Sequence, residues 1–497
     1  MTSALEQYQA VNGAWTEGRL ENVLQRQKEL ALLHANLKKF SPDLIRAISH
    51  DVSAADELQL SLDSIKQLYG DLDFPDTLAK EKLVRKGASS LNNFVPVGPS
   101  LIDPSPYSPL ASVITPLAAA LAAGSPAIVL ASPATPTVNA ELRKLIIKSV
   151  DVEAFAITDD DDSTSTRRDL STKFFGVAAL QNLAHRDTLF PSLYKVNPLI
   201  RTTSTPCGTP AVFVDRSAED LEAVASHLIN ATLRAPRHNP LRTPRLVFVD
   251  EINLEQLDKL VRADSSANDP LSFGNDEETA QAVKKIFQLV SQASNTKPVI
   301  QSSGHLPAVI TLDNAESIVE ENIQKAVELL VVSTNGLLLV PTRSLDHGID
   351  ILSKLNAETP SQAVYIFASS KASTYVALFT NSVQVFINTI PRWSLAVIAP
   401  STSFVKDRLL YSREDFSVSK PILQESVKSM GSLAAGANSV WPFLSQSVNL
   451  VRIKQPKGGR LSYFERGLLV GLALSLIAIS GTGFWIHRGI QRFIIRS

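Results

Sequence analysis

Cys207 is the only cysteine in the chain, and so the only side chain able to attack a carbonyl as a thiolate. A working thiolate needs a lowered pKa and a way in for substrate, and Arg201 and Arg234 are candidate cationic neighbours by sequence proximity alone. A thiol without such support is structural, and both readings stay open. One cysteine also excludes an internal disulfide and leaves no cysteine-based metal site. His185, His227, His238 and His305 are scattered, with no spacing that makes a triad. Arg234, Arg237, His238, Arg242 and Arg245 form a basic cluster, which reads as an anion site or as a solvated, ion-paired loop. The carboxylates of Asp159 to Asp162 could bind a cation, but a run leading into Ser163-Thr164-Ser165-Thr166 reads first as a solvated loop.

The element that must position these groups runs from Ser204 to Glu251. Thr209-Pro210 leads into Val212-Phe213-Val214-Asp215, and Thr243-Pro244 repeats the phrase into Val247-Phe248-Val249-Asp250. A proline followed by a β-branched and aromatic run, closed by an aspartate, predicts a buried strand with a turn after it. Between the two, Leu221, Val224, Ala225, Leu228, Ile229 and Leu233 recur at helical spacing, with Asp220 and Glu222 near the helix start. Strand, helix, strand at this length is a βαβ crossover. Upstream, the pattern from Val23 to Leu68 is helical, and Ser41-Pro42-Asp43 reads as a helix start. Ser100-Leu101-Ile102 reads as a strand edge, Pro116 to Ala123 as a small-residue helix, Gly124 as its C-cap and Ala127 to Leu130 as a buried strand.

With 497 residues, 44% hydrophobic and 20% charged, the chain is long enough for two or three domains with an ordinary surface. A net charge of -1 gives no electrostatic case for nucleic acid. No basic segment followed by an apolar core opens the chain, so no secretory signal is expected. Near the other end, Gly467 to Ile486 carries no charge and has about the length needed to span a bilayer. Trp485 sits at its end as an interfacial anchor would, and Arg466, Arg488, Arg492 and Arg496 flank it, which predicts a single-pass tail anchor rather than a buried core helix. Gly467 and Gly471 could let two such anchors pack closely, although the spacing is common by chance.

Several blocks, in order, resemble aldehyde dehydrogenases over roughly residues 15 to 425. QRQKELALLHANLKKFSPDLIRAISHD looks like the family's opening helices, and the short lead resembles its membrane-linked class 3, or fatty aldehyde, branch. Phe94 to Leu142 follows the family's Pro-Trp-Asn-Tyr-Pro-Leu, Ala-Leu-Ala-Ala-Gly and Leu-Lys-Pro-Ser-Glu passage. Residues 341 to 389 match its Val-x-Ser-Leu-Asp-Glu-Ala-Ile passage, and Tyr411-Ser412 to Lys420-Pro421 is similar to the class 3 ending. The resemblance implies a thiolate nucleophile, a general-base glutamate, an oxyanion asparagine and a nicotinamide cofactor. Pro210 and Pro244 match the prolines of the two catalytic loops. Counting back, Ser204 stands at the base and Leu241 at the nucleophile.

Other functional letters differ too. No asparagine occurs from Asp103 to Pro109, and Ala131 and Ala134 replace the cofactor lysine and the neighbouring glutamate. Phe174-Phe175-Gly176 is matched to the family's Phe-Thr-Gly-Ser cofactor loop, with the second glycine missing. The cofactor glutamate aligns with Val332, or with Glu320 or Glu321 after an insertion, and the glycine-rich Pro-Phe-Gly-Gly loop has become Pro391-Arg392-Trp393-Ser394. Cys207 lies three residues after the lost base, in a loop that faces the family's catalytic funnel.

The resemblance implies an α/β, aldehyde-dehydrogenase-like fold with two doubly wound α/β domains plus a C-terminal transmembrane helix. The expected organisation is a helical lead (1–90), a degenerate Rossmann-like cofactor-type domain (91–203), a central catalytic-type domain (204–390), a returning segment and linker (391–460), and the anchor (467–486). The expected function is that of a catalytically inactive, membrane-anchored scaffold or regulatory partner. The alternative is an NAD(P)-dependent oxidoreductase acting on long-chain or hydrophobic aldehydes through relocated groups such as Cys207. No cofactor is assigned beyond NAD(P) for any activity that remains. Expected partners are the lipid bilayer and either a second copy or a related dehydrogenase subunit. The bulk is expected in the cytosol, on the endoplasmic reticulum, mitochondrial outer membrane or peroxisome.

Overall fold

The structure, a computed structural model, describes residues 3–48, 52–75, 79, 91–158, 163–203, 208–232, 242–267, 276–293, 309–333, 336–357, 359–396, 410–422 and 468–473. Residues 1–424 make one compact unit and residues 425–497 another.

The first unit opens with helices α1 (Ala4–Thr16), α2 (Val23–Ala47) and α3 (Val52–Gly70), then strand β1 (Leu91–Pro96). Helix α2 runs straight through Ser41-Pro42-Asp43, so the expected helix start is a helix interior. Pro42 cannot donate to the carbonyl of Lys38 one turn back, and the Ser41 hydroxyl donates to that carbonyl instead, at 2.8 Å.

The next stretch alternates β2 (Ser100–Asp103), α4 (Ala111–Ala123), β3 (Ala127–Val129), α5 (Pro136–Ser149), β4 (Phe155–Ile157), α6 (Ser163–Ser171), β5 (Val177–Leu180), α7 (Leu183–Val196) and β6 (Arg201–Thr202). Its strands form an all-parallel sheet in the order β4-β3-β2-β5-β6. Ser100 to Ile102 is therefore the sheet's centre and not an edge. Alternate residues feed opposite cores: Ile102, Val129 and Val177 pack with α2 to α5, while Leu101, Ile128 and Leu180 pack with α1, α6 and α7. A strand covered on both faces needs no polar alternation, which is why these runs read as continuously apolar.

Helix α4 begins at Ala111, ahead of the predicted Pro116, and all of its residues are buried. Its amino end is held by Glu57 of α3, whose Oε2 accepts from the amides of Leu110 and Ala111 at 3.0 Å each. Its carboxyl end meets Arg26 of α2, whose Nη1 donates to the carbonyl of Ala122 at 2.7 Å. An acid at the amino end and a cation at the carboxyl end both oppose the helix dipole. Gly124 then turns the chain with φ 85°, as the C-cap reading expected.

A second all-parallel sheet has the order β12-β11-β7-β8-β10-β9. Its elements are β7 (Ala211–Val214), α8 (Leu221–Thr232), β8 (Leu246–Asp250), α9 (Glu251–Ala267), α10 (Asp276–Ala293), β9 (Val309–Thr311), α11 (Glu321–Ser333), β10 (Leu337–Thr342), α12 (Leu345–Leu355), β11 (Val364–Phe367), α13 (Ser370–Phe379) and β12 (Val385–Ile387). The repeated phrases become the neighbouring strands β7 and β8 joined by α8, the predicted crossover. Phe213 and Phe248 face one core, and Val212, Val214, Val247 and Val249 the other.

After the short helix α14 (Arg392–Ala396), the chain returns to the first sheet. Tyr411 and Phe416 are buried in its core, and β13 (Ser417–Ile422) pairs antiparallel with β1, from Leu91↔Ile422 to Pro96↔Ser417.

In the second unit, residues 468–473 of the predicted anchor are helical, with Leu468, Leu469, Val470 and Leu472 all exposed. Among the described residues no helix is long and apolar enough to cross a membrane, and most of Gly467 to Ile486 lies outside them.

Candidate functional site

In an open parallel sheet, ligands bind beyond the carboxyl ends of the strands where the strand order reverses. In the first sheet that point lies between β2 and β5, since β3 and β4 extend to one side and β6 to the other. The last residue of β2 is Asp103, 2% exposed, and β5 leads through Gln181 and Asn182 into α7. The Asp103 carboxylate lies 3.2 Å from Nδ1 of His185, in the first turn of α7. His185 Nε2 is 3.5 Å from Asn182 Nδ2, so neighbours engage both ring nitrogens. Burial pushes the Asp103 carboxyl up, against the opposing pull of His185 and Arg167.

The crevice wall continues through Gln181. Its amide donates to the Asp103 carbonyl at 2.8 Å, and its Nε2 donates to the Tyr411 hydroxyl at 2.7 Å. Tyr411 comes from the returning segment, and the Thr203 hydroxyl is 3.5 Å from its oxygen. Burial raises the Tyr411 phenol well above its ordinary range, so it stays a neutral hydrogen-bonding group. Sequence reasoning missed this network. Asp103, Gln181, His185 and Tyr411 belong to three separate segments, and no local pattern marks them.

The residues at this crevice do not fit a nicotinamide dinucleotide. Neither the first βα turn, Pro104 to Leu110 after β2, nor the turn after β5, Gln181 and Asn182, holds a glycine that would let a pyrophosphate approach the backbone. Phe174-Phe175-Gly176 does not supply the loop either, because it precedes β5 and lies at the opposite end of the sheet. Gly176 serves packing there: a Cβ would lie 2.7 Å from the carbonyl carbon and oxygen of Val97. Ala131, expected from the resemblance to stand at the cofactor lysine, donates its amide to the Thr158 hydroxyl at 2.9 Å. Glu321, one candidate for the cofactor glutamate, is exposed and forms a 2.5 Å pair with Lys325. Glu320 is also exposed at the end of a 3-10 turn, and Val332 lies in α11.

The second sheet offers its amino ends. Thr209, leading into β7, exchanges two hydrogen bonds with the Asn356 side chain, at 2.9 and 3.1 Å. Arg242 is fully buried: its Nε donates to the Ser394 carbonyl at 2.7 Å and its Nη1 to the Gln362 carbonyl at 3.2 Å. Tyr365 donates to the Arg242 carbonyl at 2.9 Å. Ser394, in the segment expected to stand at the glycine-rich loop, thus holds a buried guanidinium. Arg245 is 7% exposed, and neither its Nε nor its Nη1 has a hydrogen-bond partner. Burial pushes it down to about 10, and the phenol of Tyr107, in the loop after β2, opposes that shift. Arg242 and Arg245 are both buried, so neither is a solvated member of the basic cluster.

Ser204, Cys207 and Leu241 lie outside the described residues, as do Arg234, Arg237, His238, His305 and Asp159 to Asp162. His227 packs against Phe367 at the end of β11, with 5.7 Å between ring centroids and the rings tilted by 35°.

No protein-family model matches the chain, and no curated protein matches it in sequence. Solved structures do. A substrate-bound Staphylococcus aureus AldH is 16% identical with a TM-score of 0.65, over 86% of this chain and 95% of that one. Glyceraldehyde-3-phosphate dehydrogenase from Methanocaldococcus jannaschii, complexed with NADP, is 15% identical with a TM-score of 0.64, over 86% and 95%. Betaine aldehyde dehydrogenase from Staphylococcus aureus, in complex with NAD+, is 15% identical with a TM-score of 0.62, over 86% and 88%. The chain therefore has the α/β fold of aldehyde dehydrogenases, with two parallel sheets. At these identities the likeness extends to the fold alone.

Proposed function

We propose that this chain is an aldehyde-dehydrogenase-fold protein without dehydrogenase chemistry, tethered to a membrane and acting as a scaffold or regulatory partner. The observation that carries the reading is the β2–β5 crevice, where neither adjoining turn, Pro104 to Leu110 or Gln181 to Asn182, holds a glycine for a dinucleotide's pyrophosphate. The substitutions Leu241 for the nucleophile, Ser204 for the base and Ala131 for the cofactor lysine point the same way. A leucine cannot attack a carbonyl, and a serine has no accessible deprotonated form at neutral pH.

The membrane part rests on the uncharged run from Gly467 to Ile486 and on the exposed Leu468, Leu469, Val470 and Leu472. Consecutive exposed apolar residues on a helix leave no side for solvent, which suits a bilayer. The partner is a second copy or a related, active dehydrogenase subunit, since loss of chemistry leaves association surfaces as the fold's remaining use. The closer relationship to the class 3 branch rests on the Tyr411-Ser412 to Lys420-Pro421 ending.

Calorimetry on the full-length chain with NAD and NADP is the deciding experiment. No binding at millimolar cofactor is expected. Micromolar binding would overturn the reading and move an unorthodox oxidoreductase, with Cys207 as its nucleophile, to the front.

A further inference from the structure

Arg245 is a buried cation that the rest of the described fold leaves unanswered. It follows Pro244 directly and enters β8, keeps only 7% of its surface open, and makes no ion pair among the described residues. Its Nε and Nη1 have no hydrogen-bond acceptor. Arg242, three residues earlier, shows how this fold treats a guanidinium of purely structural use, since carbonyl oxygens of Ser394 and Gln362 receive its donors. A buried charge with no partner destabilises a protein, so such groups are ordinarily paired, hydrogen-bonded or held for a ligand.

Position narrows the ligand. Arg245 stands at the amino edge of the second sheet, at the entry to β8. A planar guanidinium matches carboxylate and phosphate oxygens better than any neutral polar group.

We propose that Arg245 anchors a site for a small oxyanion, the carboxylate or phosphate of a ligand reaching the amino edge of the second sheet. The proposal goes beyond the loss of dehydrogenase chemistry and is independent of it, because a dinucleotide would occupy the β2–β5 crevice instead.

The test uses the full-length chain in detergent, with sodium phosphate and sodium butyrate as probes, each against sodium chloride at matched ionic strength. A ligand that binds only the folded state raises Tm by mass action. Phosphate or butyrate is expected to raise Tm above the chloride control, and the probe that acts identifies the oxyanion. Arg245→Met is expected to abolish that rise and to lift Tm without any anion, because the unpaired charge is gone. Arg245→Lys, which keeps the charge and loses the planar fork, is expected to bind the active probe more weakly and carries the test if the methionine variant does not fold. Equal Tm in phosphate, butyrate and chloride would overturn the proposal, and so would an undiminished response in both variants. Neither result depends on whether NAD binds.

Discussion

The carboxylate of Asp103 and the imidazole of His185 are 82 residues apart in sequence and 3.2 Å apart in space. They close the floor of the crevice between β2 and β5, and the pair makes stability depend on pH in a definite direction. Burial is the largest influence on Asp103 and raises its carboxyl, while His185 and Arg167 pull it down by less. The folded chain therefore keeps this proton to a higher pH than the unfolded chain does. Between the two values the folded state binds more protons, so stability falls as pH rises through the window. Asp103→Asn removes the titration and is expected to gain stability relative to the parent as pH rises from about 4 to about 7. Thermal unfolding of both chains across that range checks it. Parallel curves would mean that burial does not control this carboxyl.

The hydroxyl of Tyr411 ties the returning segment to the same crevice. Tyr411→Phe leaves Gln181 Nε2 buried with its 2.7 Å acceptor removed. Loss of about 1–3 kcal/mol is expected, seen as a lower urea midpoint at constant slope. Gln181→Leu added to Tyr411→Phe should recover part of that loss, since both ends of the bond are then apolar. A double variant no better than the sum of the singles would reject the pairing.

Glu57 makes a similar case at the amino end of α4. Glu57→Ala strands the amides of Leu110 and Ala111, each worth about 1–3 kcal/mol when buried without an acceptor. Glu57→Gln keeps a carbonyl oxygen and gives up mainly the charge at the helix terminus, about 0.3–1 kcal/mol. Denaturant unfolding should rank parent, glutamine and alanine in that order. Equal losses for glutamine and alanine would show that Glu57 acts through something other than this cap.

Much of the fold was legible because its signals are local. The Val-Phe-Val-Asp repeat predicted β7 and β8, and its closing aspartates behave alike: Asp215 accepts from the Ser217 amide and Asp250 from the Ile252 amide, both at 3.1 Å. Each turns the chain as it leaves a strand. The Ser41-Pro42-Asp43 start failed because a helix-start pattern and a tolerated interior proline share the same letters. Only the neighbouring serine hydroxyl, satisfying the Lys38 carbonyl, separates them. The crevice was not legible at all. Asp103 and His185 meet because β2 and β5 are neighbours in the sheet although two strands intervene in sequence. Arginines usually signal solvent, so the burial of Arg242 and Arg245 reverses the ordinary expectation for a basic run.

Two glycines separate packing from conformational freedom. A Cβ at Gly176 would lie 2.7 Å from the Val97 carbonyl carbon and oxygen and 2.8 Å from the Gly98 nitrogen. All three are backbone atoms, and Gly176 also donates to the Pro99 carbonyl at 2.8 Å, so neither strand can retreat without breaking the entry to β5. Gly176→Ala is expected to cost about 1–3 kcal/mol or more, as overpacking does in tight interiors. Gly13, inside α1, has nothing within 4 Å of its Cβ position. Gly13→Ala should instead stabilise by about 0.5–1 kcal/mol, because alanine loses less backbone freedom on entering a helix. Chemical unfolding of the two variants should therefore move the midpoint in opposite directions. A neutral Gly176→Ala would mean that the β1–β2 connection and the start of β5 are not held as closely as their geometry indicates.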